Sequence, residues 1–289
     1  NDSPTGSVTI SGTATEDQVL SITNTLADED VLGSFSYAWK RAGTAISGAT
    51  SATYTLVQAD VGSTITVTVS YTDGQSTAES STSAATSAVA NVNDDPTGSV
   101  TISGTATEDQ VLTASNSLAD EDVLGTITYT WSNGDTGATT TLDQSDVGNA
   151  ITVTATYTDG QGTAESEVSS ATSAVANVND APTVDSAISD ASTAEDAVYS
   201  LDISSTCTDE DGDTLSYTIS GAPSTITATT AGVISGTPVN ADVGSHTITV
   251  TCTDGSSATA TDAYDLTVTN TNDAPTYSSS DNAPDISEG

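Results

Sequence analysis

The chain has 289 residues, enough for two or three domains, and sets 2 Lys and Arg against 40 Asp and Glu for a formal charge of -38. Nucleic acid and anionic membrane both recruit basic surface, so neither is expected as a partner, and no apolar run reaches the roughly 18 residues of a spanning helix. So much like charge opposes compaction, and the folded state calls for bound divalent cations or a salty medium.

No signal peptide is visible and Met is absent, so the sequence reads as an excerpt or a processed piece. Hydrophobic residues make up only 35%, with one Phe, Phe35. They fall in period-2 runs, which indicates thin cores rather than disorder.

In chain order, strands are expected at 7–11, 19–26, 34–39, 52–56 and 65–71. In the last, Ile65, Val67, Val69 and Tyr71 share one face and Thr64, Thr66, Thr68 and Ser70 the other. About seven such strands with regular turn signals make an antiparallel β-sandwich. The segment from Pro4 to Leu20 then recurs unchanged from Pro96 to Leu112, and that from Thr86 to Asp94 recurs from Thr172 to Asp180. Linker prolines Pro4, Pro96, Pro182 and Pro275 lie 92, 86 and 93 residues apart. The domains are therefore read as 1–93, 94–179 and 180–272, with a fourth unit beginning at 273–289. The first two are near-copies; the second is shorter between Trp131 and Leu142, where Ser-Asn-Gly-Asp makes a tight turn. The expected fold class is all-β, a linear row of sandwiches.

Acidic residues recur at fixed places in every repeat. The first loop carries Glu16, Glu108 and Glu195 in turn, each followed by Asp. The second loop carries Asp28 and Asp30, Asp120 and Asp122, and Asp209 and Asp211. The fifth carries Asp60, Asp146 and Asp242 before Val-Gly, and the sixth Asp73, Asp159 and Asp254 before Gly. Linkers supply Asn91, Asn93 and Asp94, then Asn177, Asn179 and Asp180, then Asn272 and Asp273. In an up-and-down sandwich the first and fifth loops lie at the far end of a domain and the second and sixth at the near end. Glu16 and Asp60 should then meet the first linker from one side, and Asp120, Asp122 and Asp159 from the other. Such an oxygen-rich cage suits the six to eight hard ligands of Ca2+ better than the hydrated Mg2+.

The linker Asn91-Val92-Asn93-Asp94-Asp95-Pro96, the Asp120-x-Asp122 loop and Thr158-Asp159-Gly160 resemble the junctions of cadherin-like repeats. Asn91 stands where those repeats have an acid, and the further Glu of their fifth loop is missing, which implies fewer or weaker ions. Through Ile46-Ser47-Gly48-Ala49-Thr50 and Leu56-Val57-Gln58-Ala59-Asp60, domains one and two are similar to the Ig-like repeats of large bacterial (RTX-type) surface adhesins. Through Asp209 to Asp213 and Gly236-Thr237-Pro238, domain three resembles dystroglycan-type cadherin-like repeats. The resemblance implies calcium at the junctions and an extracellular, cell-surface extender that projects a distal binding domain. The neighbouring repeats would be its partners.

An extracellular setting favours a disulfide between Cys207 and Cys252, which align with Leu26 and Tyr71 on strands that face one another in an Ig-like sandwich; the alternative is two small buried thiols. A rival role is subunit of a filament or sheath, with 277–289 adding as a strand to another copy. No catalytic residue is assigned, because His246 is the sole His and has no nucleophile motif beside it. Trp39 and Trp131 are expected in cores rather than as sugar platforms.

Overall fold

A computed structural model describes residues 2–275. The chain divides into two compact units, Asn1–Ala176 and Asn177–Gly289. The first unit holds the two near-copies. In domain one, β1 (Val8–Ser11), β2 (Val19–Asn24) and β5 (Thr53–Thr55) form one sheet; β3 (Ser36–Arg41), β4 (Thr44–Ala45), β6 (Ile65–Thr72) and β7 (Ala78–Thr82) form the other. The alternation in β6 holds: Ile65, Val67, Val69 and Tyr71 are buried and the intervening Thr and Ser are not. Trp39 of β3 is fully buried among them, and its indole N–H donates to Ser51 O at 2.9 Å. Each such aliphatic side chain contributes roughly 1.5–3 kcal/mol on burial, so a thin core suffices for a domain of this size.

Domain two repeats the plan with β8 (Val100–Ser103), β9 (Val111–Asn116) and β11 (Thr139–Thr141) facing β10 (Thr128–Trp131), β12 (Val153–Thr158) and β13 (Ala164–Val168). Where domain one has the β3–β4 hairpin, domain two makes the expected tight turn, closed by Gly134 N–H to Trp131 O at 3.0 Å and Trp131 N–H to Asp135 O at 2.8 Å. The second unit holds domain three, in which Ala191–Ala194, Thr259–Thr269, Gly244–Thr253 and Ser216–Ser220 make a four-stranded sheet in that order. Tyr199–Asp202, Val233–Gly236 and Ile226–Ala228 make a second sheet. Cys207 and Cys252 form a disulfide between residues 45 apart.

The sandwiches are all-β, but not wholly antiparallel. Ala191–Ala194 runs parallel to the end of the last strand, with Ala191 opposite Leu266. In the first unit Thr15 bridges Ala90 and Thr107 bridges Ala176 in parallel. The first strand of each repeat therefore changes partner and lays its loop along the exit segment, a crossing that alternation alone does not encode. Among the described residues the only helical turns are short 3-10 turns at Gln58–Asp60, Gln144–Asp146 and Asn240–Asp242. The segment 277–289, expected to donate a strand, lies outside the described residues.

Candidate metal centres at the repeat ends

One bond of the second loop recurs at the near end of all three repeats, and the rest of that loop's arrangement is shared by the first two. The second Asp of the Asp-x-Asp loop accepts the backbone N–H of the linker Asp: Asp30 from Asp2 at 3.0 Å, Asp122 from Asp94 at 3.0 Å and Asp211 from Asp180 at 2.8 Å. The first Asp folds the loop by accepting the second's N–H, as Asp28 does from Asp30 at 2.9 Å and Asp120 from Asp122 at 2.8 Å. Its other oxygen accepts a tyrosine hydroxyl, Tyr71 to Asp28 at 2.6 Å and Tyr157 to Asp120 at 2.5 Å. Both phenols are pushed up, first by burial and then by that bond.

The sixth loop wraps its Asp with backbone donors. Asp159 Oδ1 accepts from Gln161 at 2.9 Å and Thr163 at 2.7 Å, and Asp73 and Asp254 repeat the pattern with their own i+2 and i+4 N–H groups. Burial works against the Asp159 charge, but the N–H groups of Thr163, Gln161 and Gly162 outweigh it and hold the carboxyl below its ordinary range. Gly160 N–H ties the two loops together by donating to Asp122 O at 2.8 Å. A Cβ there would lie 2.6 Å from that oxygen, so the approach requires glycine.

At the linker between domains one and two these groups converge from both sides. Glu16, 3% exposed, accepts the Val92 N–H at 3.3 Å. Its carboxyl is pushed up by burial, and further by Asp94, Asp17 and Asp122 against the Val92 bond. Asp94 is pushed up by burial and by Glu121 and Asp122. Asp122 is wholly buried. Asp159 Oδ2, on a residue 7% exposed, has no hydrogen-bond partner, and neither has the buried Asn91 Oδ1. Asn93 turns aside, its amide donating to Glu165 Oε1 at 2.9 Å. Glu165 is thus a contact of the linker that sequence reasoning did not single out.

The fifth-loop acids take another task. Asp60 is wholly buried and accepts from Arg41 Nε at 2.6 Å, Tyr54 OH at 2.8 Å and Val57 N–H at 3.0 Å. That bond in turn raises the Arg41 guanidinium pKa. Asp146 accepts from Asn133, which aligns with Arg41, at 3.2 Å and from its own turn at Asp143 N–H. Asp242 accepts from Thr225 at 2.7 Å and Val239 N–H at 2.9 Å. All three close 3-10 turns from inside their own domains, so the expectation that they face the linkers is corrected. The residue of that loop which does reach the junction is Gln58, whose Nε2 donates to Asp122 Oδ1 at 2.7 Å and to Glu121 O at 3.1 Å.

In the second unit Asn179 donates to Asp254 Oδ2 at 2.9 Å, which is the main cause holding Asp254 below its ordinary range. Ala260 stands where domain two has Glu165, so the linker amide is free to turn to the sixth-loop Asp. Asp209 Oδ2 and Asp211 Oδ1 are buried with no partner. At the far end Glu195, 2% exposed, accepts from Asn270 Nδ2 at 2.5 Å and Thr271 N–H at 2.7 Å while its Oε2 has no partner. Asn272 donates to Asp273 O at 3.3 Å. Glu108, 3% exposed, ends the first unit with its N–H on Ala176 O at 2.9 Å, and Asn177 opens the second.

Residues 181–269 match the family model He_PIG, described as "Putative Ig domain". Comparison with curated proteins finds no match. Among solved structures, mouse Cadherin-23 EC22-24 is similar at 14% identity and a TM-score of 0.39, over 94% of this chain and 100% of that one. Protocadherin Gamma B2 extracellular cadherin domains 1-5 is similar at 15% identity and 0.38, over 88% of this chain and 56% of that one. An endo-fucoidan hydrolase of glycoside hydrolase family 107 matches at 18% identity and 0.28, over 81% of this chain and 39% of that one. This chain thus spans a little over half of the protocadherin fragment and well under half of the hydrolase. No helix among the described residues is long and apolar enough to cross a membrane.

Proposed function

We propose that the chain is a structural segment of an extracellular bacterial adhesin, a spacer whose repeats are stiffened by calcium where they join and which projects a distal binding domain. The observation that carries the reading is Asp159, a buried and ionised carboxylate with one oxygen unbonded. Its loop is tied by the Gly160 N–H to that of Asp122, which in turn holds Asp94 N–H and lies close enough to Glu16 to raise its pKa. Backbone N–H groups already hold the charge through Oδ1, and the buried Oδ2 left without a donor is an acceptor that a cation would complete. Glu16, Asn91, Asp94, Asp122 and Asp159 offer carboxylate and amide oxygens, the donor set of Ca2+. A bound ion would supply the missing positive charge and tie linker to loops; these residues position and orient that attachment. No catalytic role is assigned.

Small-angle scattering and thermal melting of the chain in calcium, in magnesium and in chelator at matched ionic strength test this. Calcium alone should extend and stiffen the particle and raise the melting temperature. The same shape and stability in all three would leave the carboxylates as acceptors that fold their own loops, with the acidity an adaptation to salt.

A further inference from the structure

We propose that Gln58 is a two-state ligand of the first junction, a hydrogen-bond clasp when the site is empty and an oxygen donor to a divalent cation when it is filled. The inference rests on the reading of that junction as a cation site and names a residue outside the acidic motifs.

Gln58 opens the 3-10 turn Gln58–Asp60. That turn is anchored beneath by Asp60, itself gripped by Arg41 and Tyr54, so the side chain is presented from a rigid base. Its amide nitrogen sits between a carboxylate oxygen, Asp122 Oδ1 at 2.7 Å, and a carbonyl oxygen, Glu121 O at 3.1 Å. Two such oxygens flanking one point are what a hard cation seeks. The N–H donors therefore stand in for positive charge. Asp122 is otherwise sealed, its second oxygen taken by Asp94 N–H.

The other end of the same amide is the second observation. Gln58 Oε1 is buried and has no hydrogen-bond partner, a costly arrangement for a carbonyl unless some condition supplies one. The terminal amide torsion is broad and roughly two-fold, so exchanging the two ends needs no backbone movement. A cation arriving beside Asp122 repels the NH2 group and attracts the carbonyl. Gln144 and Asn240 occupy the same point of their own turns, so a neutral amide stands there in all three repeats.

The test compares the full chain with Gln58→Leu and Gln58→Glu by calcium titration calorimetry and by melting in chelator. Leu, which can neither clasp nor ligate, should weaken one binding event about tenfold and lower the chelator melting temperature of the first unit. Glu should move the two readouts in opposite directions: tighter calcium by about tenfold from the added charge, and a lower melting temperature in chelator from repulsion by Asp122. A residue serving only as scaffold would shift both the same way. Saturable calcium binding by the wild type with identical affinity in both variants overturns the role of Gln58 alone. Absence of saturable binding in the wild type overturns the junction reading, and this inference with it.

Discussion

Refolding the chain in reductant, so that Cys207 and Cys252 stay as thiols, measures what the bond contributes to the third repeat. The bridge joins residues 45 apart, and loop-closure entropy for that length amounts to about 4 kcal/mol at 25 °C. Both residues are buried in one cluster with Tyr217, Ile248 and Val250, and thiols at those positions still pack as small apolar side chains. For a domain of roughly 90 residues, 1 kcal/mol corresponds to a melting shift of about 4–8 °C, so the third repeat should lose about 15–30 °C. Scanning calorimetry of the whole chain carries its own control: the first unit contains no cysteine, and its transition should stay where it was. Free thiols by mass spectrometry combined with a third-repeat shift under about 5 °C would refute the entropic argument.

Three further outcomes are expected. Val123 holds a φ of 76° in the tight loop after Asp122, where the third repeat has Gly212 at 74°; Val123→Gly should stabilise the second repeat by about 0.5–1 kcal/mol, the left-handed strain of a β-branched residue less the entropy of glycine, and a lower melting temperature would contradict this. Tyr157→Phe removes the hydroxyl from Asp120 and should cost the second repeat about 1.5–3 kcal/mol in chelator, read from urea midpoints at unchanged slope. Asp242 is held below its ordinary value of 3.8 by the Val239 N–H first, then by Thr225 and His246. A depressed carboxyl stabilises above its unfolded pKa and loses that contribution as pH falls through the folded value, so Asp242→Asn should flatten the acid limb of the melting curve below about pH 4 and leave calcium titration unchanged.

The repeats, the strand alternation in β6 and the packing of both Trp residues were legible because each is a local pattern with one physical reading. Motif spacing also led to the expectation that Glu16, Asp94, Asp122 and Asp159 share one linker, since loop ends follow from strand direction; the bonds found there are Val92 N–H to Glu16 and Asp94 N–H to Asp122. Asp60 misled for a reason that spacing cannot reveal. A carboxylate at the end of a turn can face outward or fold back, and the choice depends on Arg41, 19 residues earlier, reaching it across the domain. Gln58 escaped notice because a single neutral amide carries no signal until its neighbours are known. Glu165 was hidden likewise: on an alternating strand it reads as one more solvated side chain.

The third repeat poses the sharpest test of what the carboxylates need. In the first two repeats a Tyr hydroxyl satisfies Asp28 and Asp120, and a buried Leu, Leu26 or Leu118, precedes the Asp-x-Asp loop. In the third, the same two positions are Cys252 and Cys207. The bond gained there removes the hydroxyl, and Asp209 Oδ2 is left buried with no partner. A site that has traded its internal donor for a covalent link depends more on an external cation. Cys207→Leu with Cys252→Tyr should return the donor and abolish the bond together. Absolute stability is a poor readout, because overpacking can cost about 1–3 kcal/mol in the same variant. The calcium increment, melting temperature in calcium less that in chelator, cancels that cost. It should shrink for the third repeat, since a capped Asp209 gains less from an ion. An increment as large as in the wild type, in a variant that still melts cooperatively, would mean that Asp209 is not among the groups a cation stabilises.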